Sequence, residues 1–150
     1  MSVDDLCAAH ARVGLDSNVF IYLFETAGPL ADTAAKVIDR IDEGALRGAV
    51  STLAIAEAVG GPARAGDPAL MERYVDEIVG LANLAVLPIT TDIAFDAAAL
   101  RGRDGLTLAD AVHLASARAA GASAFVTNDR RIGPLPGLEV VYLADLVARS

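Results

Sequence analysis

Four acidic residues occupy sequence contexts in which a carboxylate can take part in metal-assisted chemistry. Asp16 stands in LDSN after a short apolar run, and Glu57 stands in STLAIAEAVGG, where apolar or small residues flank it for a helical turn. Asp110 lies in LTLADAVHLASA, and Asp129 follows FVTN. Burying such a carboxylate without a partner costs several kcal/mol or drives it to take up a proton. A divalent cation shared by these acids would supply the partner.

Three of the four acids also have an ordinary structural explanation. Asp16 can cap a helix that follows a strand, and Asp110 can close a capping box with Thr107. Asp129 can belong to a turn at residues 127–129. Glu57 caps nothing and has no basic residue within a helical turn on either side, so its context favours a metal-binding role.

The elements that would carry these acids alternate between short β-like runs and longer helical stretches. Strands are predicted at residues 12–16, 48–51, 84–89, 124–127 and 138–142. Helices are predicted at residues 18–24, from 28–29 through an apolar stripe to 41, at 52–59, from 67–68 onwards, at 91–101, at 107–120 and in a last turn to 149. The run Gly60-Gly61-Pro62 is predicted to stop the helix at 52–59. This alternation predicts an α/β sandwich around a mainly parallel sheet.

A parallel sheet would bring the four acids to one edge. Ligands of such sheets lie beyond the carboxyl ends of the strands, and Asp16 and Asp129 lie at or just after predicted strand ends. Ser51 marks another strand end ahead of Glu57, and Asp110 lies in the first turn of the helix that leads to the fourth strand. Mg²⁺ and Mn²⁺ favour all-oxygen sites of this kind. One or two such ions can activate water and polarise a phosphodiester, which predicts phosphodiester hydrolysis without a protein nucleophile.

Length and composition limit the remaining possibilities. The 150 residues, 54% of them hydrophobic, suffice for a single domain over residues 1–150 with one substantial core. The longest uncharged run, residues 78–91, is shorter than the roughly 20 apolar residues that a membrane-spanning helix needs. The N-terminal segment lacks the apolar stretch of a secretory signal, and the single Cys7 excludes an internal disulfide. We therefore expect a cytoplasmic protein without a membrane partner.

The net charge of −8 has the wrong sign for a protein that binds RNA phosphates through a broad basic face. Part of this acidity could belong to a metal site, where bound cations would neutralise it. Positive charge is instead concentrated close in sequence to two of the key acids. The candidate RNA-binding residues are Arg101, Arg103, Arg130 and Arg131. The acidic remainder of the surface favours a basic protein partner.

Other classes of phosphate-processing protein lack the residues that they require. A receiver domain or phosphatase with an Asp after the first strand also needs a late Lys, and no Lys follows Lys36. A haloacid-type phosphatase needs a second acid where this chain has Asn18. Neither GxxxxGK[ST] nor GxGxxG is present, so nucleoside triphosphates and dinucleotides have no phosphate-binding loop.

Several segments of the chain together resemble a PIN domain of the VapC toxin type: LDSNVFIYLFE, STLAIAEAVGG, LTLADAVHLASARAAGASAFVTNDRRI and LPGLEV. The resemblance spans nearly the whole chain and is most specific in LADAVHLASA followed by FVTNDRR. It implies a three-layer α/β/α sandwich with a five-stranded sheet of order 3-2-1-4-5. It also implies a Mg²⁺- or Mn²⁺-dependent endoribonuclease that hydrolyses RNA, is frequently a homodimer, and has a cognate antitoxin whose C-terminal segment covers the site.

The resemblance also assigns roles to individual residues. The family's catalytic and metal-binding acids fall on Asp16, Glu57, Asp110 and Asp129. Its supporting polar residues fall on Asn18, Ser51, Thr107 and either Thr127 or Asn128. His113 lies one turn after Asp110 on the same helix face. The resemblance places a scaffold histidine there, so helix packing is favoured over a role as ligand or proton shuttle.

A second class of function fits the same fold. The chain could be a PIN-fold interaction subunit whose metal site is vestigial or only structural. The intact set of four acids argues against this alternative, since a scaffold has no reason to keep them together. Two further residues are predicted to take no part in chemistry, because His10 is assigned to a frayed terminus and Cys7 has no positive neighbour to activate it.

Overall fold

The computed structural model describes residues 1–147 and contains a five-stranded sheet whose strands are all parallel. The strands are β1 (Arg12–Leu15), β2 (Arg47–Ser51), β3 (Leu84–Leu87), β4 (Ala124–Thr127) and β5 (Glu139–Tyr142). Their order across the sheet is β3-β2-β1-β4-β5. The predicted fold class and strand order are therefore confirmed.

Helices connect the strands and cover both faces of the sheet. In chain order they are α1 (Val3–Ala9), α2 (Ser17–Glu25), α3 (Pro29–Asp42), α4 (Thr52–Ala58), α5 (Gly60–Arg64), α6 (Pro68–Val79), α7 (Thr91–Asp104), α8 (Leu108–Ala119) and α9 (Leu143–Leu146). The predicted helices are present with ends that shift by a few residues. α7, for example, continues past residue 101 until Gly105 closes it in the left-handed conformation, at φ 67°.

One face of the sheet is covered by α7 and α8, and α8 lies unusually close to β1. A Cβ atom added to Gly14 would collide with the Cβ of Ala117, so glycine is what allows this approach. Leu114 of α8 and Phe125 of β4 are fully buried in the core on this face. Because α8 also carries Asp110, the close approach determines where that acid lies relative to the end of β1.

The opposite face is covered mainly by α2 and α3, with contributions from α1, α4 and α9. Leu15 of β1, Val50 of β2, Phe20 of α2 and Val37 of α3 belong to one buried apolar cluster. Successive residues of a strand point to opposite faces, so Gly14 faces α8 while Leu15 faces α2. The result is the three-layer α/β/α arrangement that the fold class implies.

The N-terminal segment forms a helix, α1, that the sequence patterns do not predict. Ser2 and Asp5 make a capping box, in which the Ser2 hydroxyl accepts from the Asp5 N–H at 3.1 Å and the Asp5 carboxylate accepts from the Ser2 N–H at 2.8 Å. His10 follows the helix, and its ring nitrogens lie 2.7 Å from Ser123 Oγ and 2.7 Å from Glu139 Oε2. The prediction that His10 belongs to a frayed terminus is therefore wrong.

The glycine-rich run after α4 both ends one helix and opens another. α4 ends at Ala58, close to the predicted stop, but Gly60-Gly61-Pro62 lies within the short helix α5. Pro62 is in the first turn of α5, where a missing N–H needs no partner. A Cβ on Gly61 would meet the Glu25 carboxylate, which is the end of a flexible side chain and can move aside.

Two other predicted boundaries differ from the structure. β3 ends at Leu87 instead of residue 89, because Pro88 has no N–H to donate to a neighbouring strand. The final helical turn ends at Leu146, and the predicted extension to residue 149 lies outside the described residues. Every helix within residues 1–147 is too short or too polar to cross a bilayer.

Candidate metal centre

Asp16 lies at the carboxyl end of β1, where it is the N-cap of α2. Its carboxylate accepts hydrogen bonds from the Ser17 N–H at 2.8 Å and from the Thr127 hydroxyl at 2.7 Å. Only 5% of the residue is exposed to solvent. This burial is the main reason that the pKa of Asp16 is raised, and the charge of Asp110 raises it further, against the effects of His113 and Thr127. Asp16 is therefore both a helix cap and a buried carboxylate that lacks a full counter-charge.

Asn18 supports Asp16 and leaves one oxygen free. The Asn18 amide N–H₂ lies 3.4 Å from Asp16 Oδ2 and 3.2 Å from Thr127 Oγ1. Its carbonyl oxygen, Oδ1, is buried and has no hydrogen-bond partner among residues 1–147. A buried acceptor without a donor is costly, and a cation or a water molecule is the natural partner for it.

Glu57 extends from α4 toward the same edge of the sheet. Ser51 caps this helix, since its hydroxyl accepts from the Leu53 N–H at 3.1 Å. Glu57 Oε1 forms a hydrogen bond with His113 Nε2, and this bond is the main reason that the pKa of Glu57 is lowered. About a third (36%) of the Glu57 side chain remains exposed. Glu57, which has no basic neighbour in sequence, is thus paired with a residue of α8.

His113 is buried between α8 and the sheet, with 3% of its surface exposed. Its Nε2 atom contacts Glu57 and lies 3.9 Å from Asp16 Oδ1. Burial, the largest single influence, lowers the pKa of His113, but the Glu57 hydrogen bond and the charges of Asp16, Glu57 and Asp110 together raise it. His113 therefore has the packing role expected from sequence and also contacts the acids. Its spacing from Asp110 on one helix face was the available signal.

Asp16, Glu57 and His113 form the group that is best arranged to hold a metal ion. Each offers one donor atom, and these atoms all lie within 4.8 Å of one another. Within residues 1–147 no other set of three acidic, histidine or cysteine side chains is arranged in this way. Carboxylate oxygens and imidazole nitrogen are both ordinary ligands of divalent cations. The chemistry of the donors, together with the unpaired Asn18 oxygen, fits a divalent metal.

Asp110 lies in the first turn of α8, outside this group of three but within electrostatic reach of it. Its N–H donates to the Thr107 hydroxyl at 3.2 Å. The reciprocal bond of a capping box, from the Thr107 N–H to the Asp110 carboxylate, is not formed among the described residues. The charge of Asp110 raises the pKa of both Asp16 and His113. The Asp110 carboxylate therefore does not have the helix-capping role that would account for an acid at this position.

Asp129 follows β4 and is held by Arg131. The Arg131 guanidinium donates to the Asp129 carboxylate at 2.7 and 3.0 Å, and its backbone N–H donates at 3.0 Å. These bonds lower the pKa of Asp129. The Asp129 N–H also donates to Thr127 Oγ1 at 3.1 Å, which links this turn to the Asp16 network. Asn128, in contrast, bridges Tyr22 and the Ala144 N–H and does not touch the acids.

Three of the four predicted RNA-binding arginines are paired with acids. Arg131 pairs with Asp129, and Arg103 lies 3.3 Å from the Asp104 carboxylate. Arg130 donates to Asp145 at 2.8 and 3.1 Å, and its guanidinium lies 4.2 Å from the centre of the Tyr142 ring. Arg101 is exposed and has no ion pair with any acid of residues 1–147. The positive charge near the acids is thus partly neutralised by the protein itself.

Comparison with known proteins places this geometry in a family. The sequence matches the PIN domain family over residues 13–137, which is most of the chain. The chain belongs to the PIN domain family. This family assignment agrees with the strand order and with the resemblance in the sequence. No curated protein sequence matches the chain significantly.

The PIN fold also recurs in solved structures of low sequence identity. A toxin-antitoxin complex from Klebsiella pneumoniae is 23% identical, with a TM-score of 0.64 over 84% of this chain and 94% of the other. VapBC2 from Rickettsia felis, bound to a promoter DNA fragment, is 19% identical, with a TM-score of 0.66 over 87% and 98%. VapBC from Salmonella typhimurium, bound to DNA, is 21% identical, with a TM-score of 0.63 over 88% and 98%. At these identities the likeness establishes the fold.

Proposed function

We propose that this PIN domain is a divalent-metal-dependent endoribonuclease and the toxin of a VapBC-like toxin–antitoxin pair. The observation that carries the proposal is the meeting of the Asp16, Glu57 and His113 donors within 4.8 Å at the carboxyl edge of the sheet. Asp110 acts electrostatically on two members of that group. Solved complexes that share the fold include toxin–antitoxin pairs, which supports the second half of the proposal.

In this proposal the four acids Asp16, Glu57, Asp110 and Asp129 hold Mg²⁺ or Mn²⁺. The bound ion would supply Lewis-acid polarisation of a phosphodiester and a water of lowered pKa. Asp16 is oriented for this role by Thr127 and Asn18, which both donate to its Oδ2 atom. The carboxylate is thus kept in one position by neutral donors, and its negative charge stays available to a cation.

Two other groups prepare the site for an RNA phosphate. His113 forms a hydrogen bond with Glu57 through Nε2, which fixes the orientation of that carboxylate. Arg131 places an exposed guanidinium at the rim of the acidic site while it holds Asp129. A guanidinium matches the geometry of a phosphate, so Arg131 is the residue of the predicted rim that is best positioned to meet the substrate.

The partners follow from charge and from the fold. A group of carboxylates suits an inhibitor that inserts an arginine, because this side chain binds a carboxylate through two parallel hydrogen bonds. We therefore propose a basic segment of a cognate antitoxin as the inhibitor. A homodimer as the working form is proposed on the resemblance to VapC-type toxins alone. The proposal retains one domain over residues 1–150 and a cytoplasmic location.

The test compares RNA cleavage by the wild type and by Glu57→Gln in Mg²⁺ or Mn²⁺, over a broad panel of RNAs. Gln keeps the shape and the hydrogen-bonding capacity of Glu57 but removes the charge, so cleavage should fall at least about a hundredfold. Glu72→Gln removes the same charge from an exposed position on α6, outside the group of Asp16, Glu57 and His113, and should have no effect. Circular dichroism verifies that both variants are folded.

The same experiment separates the nuclease from the alternative, an interaction subunit with a vestigial metal site. That alternative expects no metal-dependent cleavage by the wild type, and calorimetry would then show weak or absent Mn²⁺ binding. Cleavage by an equally active Glu57→Gln enzyme would show instead that the acids described here are not the catalytic ones.

A further inference from the structure

A second candidate site lies at the opposite edge of the sheet, where the strands begin. The first residues of β1 and β2 are Arg12 and Arg47, and they are directly opposite each other in the parallel register. Paired residues of neighbouring parallel strands point to the same face of the sheet. The side chains of Arg12 and Arg47 therefore leave the sheet next to each other. Like charges placed opposite each other destabilise a strand pair, which makes this arrangement one that needs an explanation.

This pair has no acidic partner among residues 1–147. Within residues 1–147 neither Arg12 nor Arg47 forms an ion pair, although the chain has 20 acidic residues against 12 Lys and Arg. Arg40, Arg103, Arg118, Arg130 and Arg131 all have acidic partners. Five arginines therefore meet an acid, whereas these two neighbours, like Arg64, Arg73 and Arg101, meet none among the described residues.

Both arginines line a concave pocket. The pocket has a volume of about 210 Å³ and is also lined by Gly48, Asn83 and Ala85. The Arg12 Nη1 atom donates to the Ala120 carbonyl at 2.6 Å, which holds that guanidinium in place and leaves its other N–H groups available. Arg47 makes no side-chain hydrogen bond within the described residues and is exposed. The Arg12 guanidinium is thus held in place by the fold, and the Arg47 guanidinium is free to move toward a ligand.

We propose that Arg12 and Arg47 form a binding site for a phosphate group, separate from the acidic site at the other edge. The two guanidinium groups that line this pocket suit a phosphate better than a carboxylate as their ligand, because a phosphate offers more oxygens. Isolated exposed arginines such as Arg64 and Arg73, which stand on helices, have neither the neighbour nor the pocket. The phosphate belongs to a free nucleotide or to an RNA strand, and the experiment distinguishes these sources.

The experiment uses calorimetry with the full chain in metal-stripped buffer of constant ionic strength, so that the acidic site does not take part. The probes are inorganic phosphate, adenosine 5′-monophosphate and a short 2′-O-methyl RNA, which cannot be cleaved at its 2′ position. The variant is Arg47→Ala, because Arg47 makes no hydrogen bond that the fold needs, and the matched control is Arg73→Ala. A thermal melt of each variant with and without phosphate gives a second readout.

We expect the wild type and Arg73→Ala to bind phosphate with equal affinity, and Arg47→Ala to bind it about ten- to a hundredfold more weakly, as expected for a lost hydrogen bond between charged groups. Phosphate should raise the melting temperature of the first two proteins only. Binding of the mononucleotide assigns the site to a free nucleotide; binding of the RNA alone, weakened by Arg47→Ala, assigns it to an RNA strand. Equal affinity in all three proteins, or no binding of any probe to the wild type, would overturn the proposal.

Discussion

At the scale of single residues, the candidate site contains acids whose charge states depend on a neighbouring histidine. Burial raises the pKa of Asp16, whereas the hydrogen bond to His113 lowers the pKa of Glu57. His113 is the hydrogen-bond partner of the isolated Glu57 and becomes its positive partner when protonated, a role that the sequence assigned to a metal ion. A bound cation must therefore share Glu57 with His113 or take its place.

This ion pair gives a prediction about stability and pH in the metal-stripped protein. The pKa of His113 is raised above its ordinary 6.5, so its contribution is fully present below pH 6.5 and is lost as the pH rises through the raised pKa. The pKa of Glu57 is lowered below its ordinary 4.5, so its contribution is present above pH 4.5 and is lost as the pH falls through the lowered pKa. The pair should therefore stabilise the fold most between pH 4.5 and pH 6.5.

We expect the difference in unfolding free energy between wild type and His113→Gln to shrink by roughly 1 kcal/mol from pH 6 to pH 9, a small value because Glu57 is partly exposed. Urea titrations at a series of pH values measure it, and a double-mutant cycle with Glu57→Gln isolates the coupling. If the difference does not change with pH, His113 is neutral throughout and only packs.

The partner of Glu57 illustrates what sequence reasoning could and could not reach at this scale. Glu57 itself was found because it has no capping role and no local base. Its contact with His113 joins residues 56 positions apart, and no local pattern encodes such a contact. Asp16 was found as the end of a strand, and its bonds to Ser17 and Thr127 explain why a cap and a buried acid are combined there.

A second prediction at this scale concerns repulsion among the acids. The charge of Asp110 raises the pKa of Asp16, so ionised Asp110 disfavours ionisation of Asp16. Replacing both, as Asp16→Asn with Asp110→Asn, should stabilise the metal-stripped protein by roughly 1 kcal/mol, or about 2–4 °C in melting temperature. The same variant should lose the stabilisation that Mn²⁺ gives the wild type by mass action. A sharp fall in the metal-stripped melting temperature would contradict a shared acidic site.

At the scale of elements, the sequence predicted the strands and long helices and missed the short or unusual ones. Hydrophobic periodicity is strong over α3, and proline or glycine marks the ends of both β3 and α7. α1 has only seven residues, and such a helix depends on tertiary contacts such as that of its buried Leu6. α5 begins with two glycines, which weigh against the prediction of a helix.

The prediction at this scale concerns the contact between β1 and α8. Gly14→Ala places a methyl group against Ala117 and should push α8 away from the sheet, which costs about 1–3 kcal/mol of stability. Because α8 carries Asp110 and His113, the change should also weaken Mn²⁺ binding.

The matched control is Gly102→Ala in α7, where a Cβ meets nothing within 4 Å. This substitution should stabilise the helix by up to about 1 kcal/mol and leave metal binding unchanged. Urea titration and Mn²⁺ calorimetry measure both effects. Unchanged metal affinity in a clearly destabilised Gly14→Ala protein would show that the position of α8 does not determine the site.

At the scale of the whole molecule, two groups of charged residues lie at opposite edges of the sheet. The acids of the candidate metal centre collect where the strands end, and the pair formed by Arg12 and Arg47 lies where β1 and β2 begin. The net charge of −8 does not show that these two groups are separate. Composition could predict the total charge, whereas the separation of the two signs depends on strand register and on which arginines meet an acid.

The last prediction concerns Arg131, a positively charged residue that is paired with Asp129 at the acidic edge. Its side chain holds the Asp129 carboxylate through bonds of 2.7 and 3.0 Å, so in Arg131→Ala that carboxylate becomes free to bind a cation. Mn²⁺ affinity measured by calorimetry should rise severalfold, while binding of a non-cleavable RNA should weaken and the slope of its salt dependence should fall by about one. Arg64→Ala, which removes an exposed arginine from α5, should change neither quantity beyond a small general effect of charge. If Mn²⁺ affinity is unchanged in Arg131→Ala, Asp129 is not close enough to the cation to act as a ligand. If the salt slope is unchanged, RNA reaches the acidic edge without contacting Arg131, and Arg101 becomes the next residue to test.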